Sequence, residues 1–135
     1  MILITGGMGF IGLHTARAYL DAGEDVVITY YQTWREPSFI KDEYGKRVQV
    51  EKVDMTDREG VLAMGKRHKI TAILQLAPST RALGPVEDLK AQLPALSNTL
   101  EASVEWGVQR VMLGSSATVY FGLEEGPFRE DQPLP

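Results

Sequence analysis

Gly6, Gly9 and Gly12 follow directly on the apolar run Ile2-Leu3-Ile4-Thr5, and Phe10 to Asp21 then reads as a helix closed by Gly23. A strand that empties through a glycine turn into a helix aims backbone N–H groups and the positive end of the helix dipole at one point. That arrangement suits a pyrophosphate. Gly6 permits the sharp turn off the strand, Gly9 lets a ligand approach the backbone with no Cβ in the way, and Gly12 lets the helix pack closely on the sheet. A second group of small hydroxyls, Ser115, Ser116 and Thr118, sits where another apolar run ends. Taken alone, it is ordinary turn chemistry.

Positioning these groups requires a regular frame, and the rest of the chain supplies one. Short apolar runs rich in β-branched residues or Leu predict strands at Met1–Thr5, Asp25–Tyr30, Val48–Val53, Thr71–Leu76 and Arg110–Ser115. Between them the pattern predicts helices at Phe10–Asp21, Pro37–Tyr44, Asp57–His68 and Val86–Trp106, the last kinked or split by Pro94. Such alternation means an α/β fold: one doubly wound parallel sheet with helices on both faces and right-handed crossovers. In such a sheet ligands bind beyond the carboxyl ends of the strands, where the strand order reverses.

Thr5-Gly6-Gly7-Met8-Gly9-Phe10-Ile11-Gly12 resembles the N-terminal signature of the extended short-chain dehydrogenase/reductase family, which contains the nucleotide-sugar epimerases and dehydratases. Further matches follow in order: Val53-Asp54-Met55-Thr56-Asp57, then Leu76-Ala77, then Gly114-Ser115-Ser116-Ala117-Thr118-Val119-Tyr120, and finally Glu130-Asp131-Gln132-Pro133-Leu134-Pro135. The resemblance spans the whole chain. It implies a Rossmann-type sheet of order 3-2-1-4-5, here ending after the fifth strand, with residues 1–135 forming one NAD(P)-binding domain.

It also assigns residues. Gly6, Gly9, Phe10, Ile11 and Gly12 would hold the pyrophosphate, and Asp54 and Met55 the adenine, with a loop acid as the plain alternative for Asp54. Leu76, Ala77 and Pro78 would pass beside the cofactor, although Pro78 stands where the family carries an alanine with an N–H. Gln92 occupies the place of an asparagine near the cofactor, and Ser115 would line the cofactor side. Ser116 would hydrogen-bond the reacting hydroxyl or carbonyl as the catalytic serine, with Thr118 touching substrate. The family motif continues Tyr-Gly, whereas Phe121 here separates Tyr120 from Gly122.

A carboxylate about 20 residues past the glycine turn ordinarily bonds the adenosine ribose and selects NAD. The resemblance places Tyr30 there, followed by Tyr31, Gln32, Thr33, Trp34 and Arg35, with no acid among them. Arg35 could hold a 2′-phosphate, so the cofactor reads as NAD or NADP. The family's proton-transferring tyrosine also needs a lysine four residues on. The five tyrosines are followed at that spacing by Gly23, Trp34, Arg35, Val48 and Glu124. The expectation is therefore the cofactor-binding part of an NAD(P)-dependent epimerase, dehydratase or reductase, inactive alone. A non-catalytic NAD(P)-binding sensor is the alternative. A missing helix would leave apolar surface bare, so self-association as a homodimer is expected too.

Composition narrows the classes further. With 135 residues, 44% of them hydrophobic, the chain fills one ordinary domain and no second one. Its net charge of −4 offers nucleic acid no attraction, and the lack of cysteine excludes disulfides and thiolate metal sites. His14 and His68 have no second ligand at metal-binding spacing. No apolar run approaches the roughly 20 residues that cross a bilayer. A cytoplasmic protein is expected, whose partners are a dinucleotide and a nucleotide sugar or related small substrate.

Overall fold

The computed structural model describes residues 1–77, 84–123, 126–133 and 135. Five parallel strands, β1 (Ile2–Thr5), β2 (Val26–Tyr30), β3 (Val48–Lys52), β4 (Ala72–Gln75) and β5 (Arg110–Leu113), form one sheet in the order β3-β2-β1-β4-β5. This is the expected doubly wound order, and it reverses between β1 and β4. Among the described residues three α-helices connect the strands: α1 (Phe10–Asp21), α2 (Arg58–Arg67) and α3 (Pro85–Glu105).

Because successive strand residues face opposite ways, β1 feeds two cores at once. Ile2 and Ile4, with Val26 and Ile28, pack on Leu13, Ala16 and Leu20 of α1. Leu3, Val27 and Ile73 face the other way, onto Val61 and Met64 of α2 and Ala102 of α3. Every residue of β1 is buried, so the strand that carries the glycine turn is the most constrained element of the sheet.

Two predicted elements differ from what forms. The helix expected over Pro37–Tyr44 reduces to a three-residue 3-10 turn, Lys41–Glu43, because this stretch fully buries only Ile40, with Tyr44 half-buried beside it. No amphipathic face is present to stabilise a longer helix. Pro94 does not split α3, which runs unbroken for 21 residues. Gln92, Leu93 and Pro94 are exposed, so water can satisfy the carbonyl that the missing N–H leaves free. Pro85 opens this helix, where its fixed φ is an advantage.

Apolar surface remains bare on one side. Val86, Leu89, Leu93, Leu100 and Val104 of α3 are exposed, as is Leu113 at the edge of the sheet. Among the described residues no helix is long and apolar enough to cross a membrane. The C-terminal turn of α2 is tied to β3. Arg67 donates twice to Glu51 at 2.9 Å, and His68 Nε2 lies 2.6 Å from the same carboxylate. The Arg67 hydrogen bond holds the Glu51 carboxyl below the usual carboxylate range.

The reversal point itself is closed by one side chain. Thr5, fully buried, donates from Oγ1 to Gln75 Oε1 at 2.9 Å and accepts the N–H groups of Leu76 and Ala77, each at 3.0 Å. Its one donor and both lone pairs are thus used. Replacing Thr5 by the isosteric valine leaves the partly buried Leu76 and Ala77 N–H groups without an acceptor, while Gln75 Oε1 keeps the Thr99 hydroxyl, and the expected loss is about 2–3 kcal/mol in urea unfolding. A loss below about 0.5 kcal/mol would show that water replaces the hydroxyl.

Candidate functional site

β1 leaves the sheet through Gly6, which adopts φ +64° and whose N–H donates to Thr29 Oγ1 of β2 at 3.1 Å. A Cβ at Gly6 would stand 2.9 Å from the Ala77 Cα, so the turn rests directly on the end of β4. Gly9 N–H then donates to Gly6 O at 2.9 Å, and Gly9 becomes the N-cap of α1 in an extended conformation. No side chain caps this helix, and its first turn carries no acid. Among the described residues no acceptor takes the N–H groups of Phe10, Ile11 or Gly12, which point outward at the positive end of a 12-residue helix. Backbone donors at the positive end of a helix are the arrangement that suits an anion.

The glycines divide the work differently from the sequence expectation. A Cβ at Gly12 would meet Gly6 O and Gly7 Cα at 2.6 Å, so Gly12 packs on the turn and not on the sheet. The close approach to the sheet belongs to Gly7, whose Cβ would collide with Ile28 Cβ and stand 3.0 Å from its Cα. Among the described residues a Cβ at Gly9 would meet only Gly6 O, at 3.1 Å.

The loop after β2 and the start of α1 enclose a cavity of about 430 Å³ lined by Phe10, Leu13, His14, Arg35, Glu36, Pro37 and Phe39. Phe10 is 73% exposed beside it. Tyr30, partly buried, carries the Trp34 ring edge-on with centroids 5.1 Å apart, and Trp34 also meets Tyr44 at 6.0 Å. Trp34 Nε1 donates to Glu36 Oε1 at 3.1 Å, and the Tyr44 hydroxyl donates to the Arg35 carbonyl at 3.3 Å. Burial, with the nearby Glu36 carboxylate, pushes the Tyr44 phenol above its ordinary value. Arg35 is exposed, as expected of a group that would meet a ligand, but its neighbour Glu36 shares the cavity.

At the end of β3, Asp54 Oδ1 accepts both the Thr56 N–H at 2.9 Å and the Thr56 hydroxyl at 2.8 Å. Asp54 therefore holds its own turn, with Oδ2 left over. Met55 is 7% exposed and packs in the α2/α3 core, while its carbonyl accepts Asn98 Nδ2 at 3.0 Å. Asn98 is the buried amide that anchors this end of the site. Its only trace in the sequence is one amide on the packed face of a helix. Gln92, to which the resemblance pointed, is exposed on α3.

At the end of β4, Leu76 and Ala77 have both N–H groups committed to Thr5 and touch the turn at Gly6. Pro78 lies outside the described residues. At the end of β5, Gly114 N–H donates to Gln75 O at 3.0 Å, joining this loop to β4. Ser115, Ser116 and Thr118 are exposed beyond it. Ser116 Oγ accepts the Thr118 N–H at 3.2 Å and so caps the short 3-10 turn Ala117–Tyr120, with its hydroxyl proton still available to a ligand.

Among the described residues no group of three His, Cys, Asp or Glu side chains could hold a metal. A larger cavity, about 490 Å³, lies at the other end of the sheet between Lys66, Arg67, Lys69 and Trp106. It contains none of the strand-end groups described above.

A parallel sheet of order 3-2-1-4-5 with an uncapped glycine turn at its reversal point defines a Rossmann-type doubly wound unit. Residues 2–135 match the model of the NAD dependent epimerase/dehydratase family, and the chain belongs to that family. It is 32% identical to UDP-glucose 4-epimerase of Bacillus subtilis (strain 168) and 32% identical to that of Drosophila melanogaster, over 98% of this chain and 41% of each relative. Among solved structures it resembles UDP-glucose 4-epimerase from Bifidobacterium longum in complex with NAD+ and UDP, with TM-score 0.85 and 26% identity over 99% of this chain and 42% of that one. The UDP-glucose 4-epimerase of Thermus thermophilus, complexed with NAD, gives TM-score 0.79 and 26% identity, over 99% of this chain and 44% of that one. The chain thus spans about two fifths of the length of these relatives, corresponding to their N-terminal part.

Gly7→Ala is expected to lower the thermal midpoint clearly, since Ile28 has no room to move. Gly9→Ala should stay within about 1 kcal/mol of wild type, because it meets one carbonyl at an ordinary φ. Equal losses at both positions would contradict this division of roles.

Proposed function

We propose that this chain is the dinucleotide-binding portion of an NAD(P)-dependent epimerase, dehydratase or reductase that acts on a nucleotide sugar. The observation that carries the reading is the turn of Gly6 to Gly12, a Cβ-free cradle followed by the N–H groups of Phe10, Ile11 and Gly12, which no described residue accepts. Those residues fit a pyrophosphate. Asp54 Oδ2, the backbone around Met55, and Leu76 and Ala77 would border the adenosine half, with Tyr30 below it. Family membership and relatives named UDP-glucose 4-epimerase support the nucleotide-sugar class.

When bound, the dinucleotide supplies the hydride chemistry. Within this chain Ser116 would donate its hydroxyl proton in a hydrogen bond to the reacting oxygen while Oγ keeps the Thr118 amide, so the serine is already oriented. Thr118 and Ser115 would border substrate and cofactor from the same loop. A base is still required. No tyrosine in this chain has a lysine four residues on, so binding without turnover is the behaviour we assign to it alone. The uncovered row along α3 supports a second copy of the chain as partner. A purely monomeric sedimentation profile at high concentration would contradict that part of the reading.

Calorimetric titration with NAD(H) and NADP(H) tests the main reading. Wild type should bind at least one of them, Gly9→Val should abolish that binding with the fold intact by circular dichroism, and no UDP-sugar interconversion should occur. Absence of binding by a folded wild-type chain would overturn it.

A further inference from the structure

Met8 is the one large side chain in the turn Gly6-Gly7-Met8-Gly9, and it is 3% exposed, packed into the core on the α1 side of the sheet with Ile4, Leu13, Ile28 and Ile40. The loop after β2 is a separate stretch of chain, exposed from Tyr31 to Glu36. One side chain touches both. The Tyr44 hydroxyl lies 3.9 Å from Met8 Sδ and 3.3 Å from the Arg35 carbonyl oxygen. From this juxtaposition we propose that Tyr44 is a positioning residue, which joins the glycine turn to the loop after β2 and keeps the turn and the cavity beside it at one spacing. The inference rests on the dinucleotide reading above and goes beyond it by naming a residue that acts on the site through Met8 and the Arg35 peptide.

Tyr44 is anchored apart from the two segments it joins. Its N–H donates to Lys41 O at 3.1 Å, and the next residue, Gly45 at φ +73°, donates to Val48 O at 2.9 Å. A bridge between Tyr44 and Val48 then leads into β3, so its backbone belongs to the sheet edge. The ring packs against the same core as Met8 and meets the Trp34 indole edge-on with centroids 6.0 Å apart. Burial, with the Glu36 carboxylate nearby, raises the phenol pKa, so the hydroxyl keeps its proton at neutral pH. That single proton has two acceptors, a carbonyl oxygen and a weakly accepting thioether, both at long range. A small shift of either the turn or the loop decides which of them receives it.

This arrangement separates two kinds of ligand. A dinucleotide would bear on the turn and on the cavity together, because Phe10 opens α1 and also lines the cavity with Arg35. Inorganic pyrophosphate would meet the turn alone. A residue that sets the spacing between turn and loop therefore matters to the first ligand and not to the second. A side chain that merely fills the core would cost both ligands alike, in step with stability.

The test is calorimetric titration of the 135-residue chain and two variants with NAD+ and, separately, with inorganic pyrophosphate, with thermal unfolding as the folding control. Tyr44→Phe keeps the ring against Trp34 and removes only the hydroxyl. It should weaken NAD+ about fivefold, the worth of one neutral hydrogen bond, and leave pyrophosphate within about twofold of wild type. Met8→Leu conserves volume and removes the sulfur, and should weaken NAD+ by a smaller factor. A second readout is the ¹⁵N-resolved indole N–H resonance of Trp34. Pyrophosphate should shift it in wild type, through Met8 and Tyr44, and should leave it in place in Tyr44→Phe. The inference is overturned if Tyr44→Phe leaves NAD+ affinity unchanged or weakens both ligands equally. It is overturned as well if the indole resonance fails to move in wild type, or still moves in Tyr44→Phe, which would mean a direct effect through space. Each of those results leaves the dinucleotide reading standing, whereas a folded wild type that binds neither ligand would remove both.

Discussion

The Thr5 hydroxyl fixes how β1 and β4 end relative to one another, and the crevice between them follows from that. Leu76 and Ala77 point their N–H groups at it, Gln75 accepts its hydrogen bond, and Ala77 is thereby pressed against Gly6. From the other side Thr29 accepts the Gly6 N–H. Two buried threonines thus hold a turn that has few side chains of its own with which to pack. The Thr5 contact also reaches α3, because Gln75 Oε1 accepts the Thr99 hydroxyl at 3.0 Å. A disturbance at any of these groups would be felt at the N-terminus of α1, where the ligand is proposed to sit.

Charge is distributed to suit that geometry. The chain is acidic as a whole, yet the first turn of α1 carries no acid and no cap, so nothing on the helix competes with an incoming anion. The basic residues Lys66, Arg67, His68 and Lys69 gather at the carbonyl end of α2, where Arg67 also donates to Glu51 of β3. The larger cavity there is walled by cations already serving the helix, and the smaller one near Phe10 is the one that adjoins free backbone donors.

The fold is largely legible in the sequence because its signals are local: short apolar runs for strands, glycines for turns, and a strand order that follows from parallel connections. The glycine turn is legible for the same reason. Relations across the sheet are not. Nothing local marks Thr5 as a three-bond junction, Gly7 as the residue that clears Ile28, or Asn98 as the anchor of the Met55 carbonyl. The Pro37–Tyr44 stretch has a composition that permits a helix but lacks the burial that would sustain one.

The most direct test of the account is a ¹⁵N-resolved NMR titration of the chain with NAD+. The largest amide shifts should fall on residues 7 to 12, while the Leu76 and Ala77 amides stay protected from exchange because Thr5 holds them throughout. Shifts concentrated instead on Lys66 to Ile70 and the Trp106 indole would place the ligand at the other end of the sheet and contradict the account.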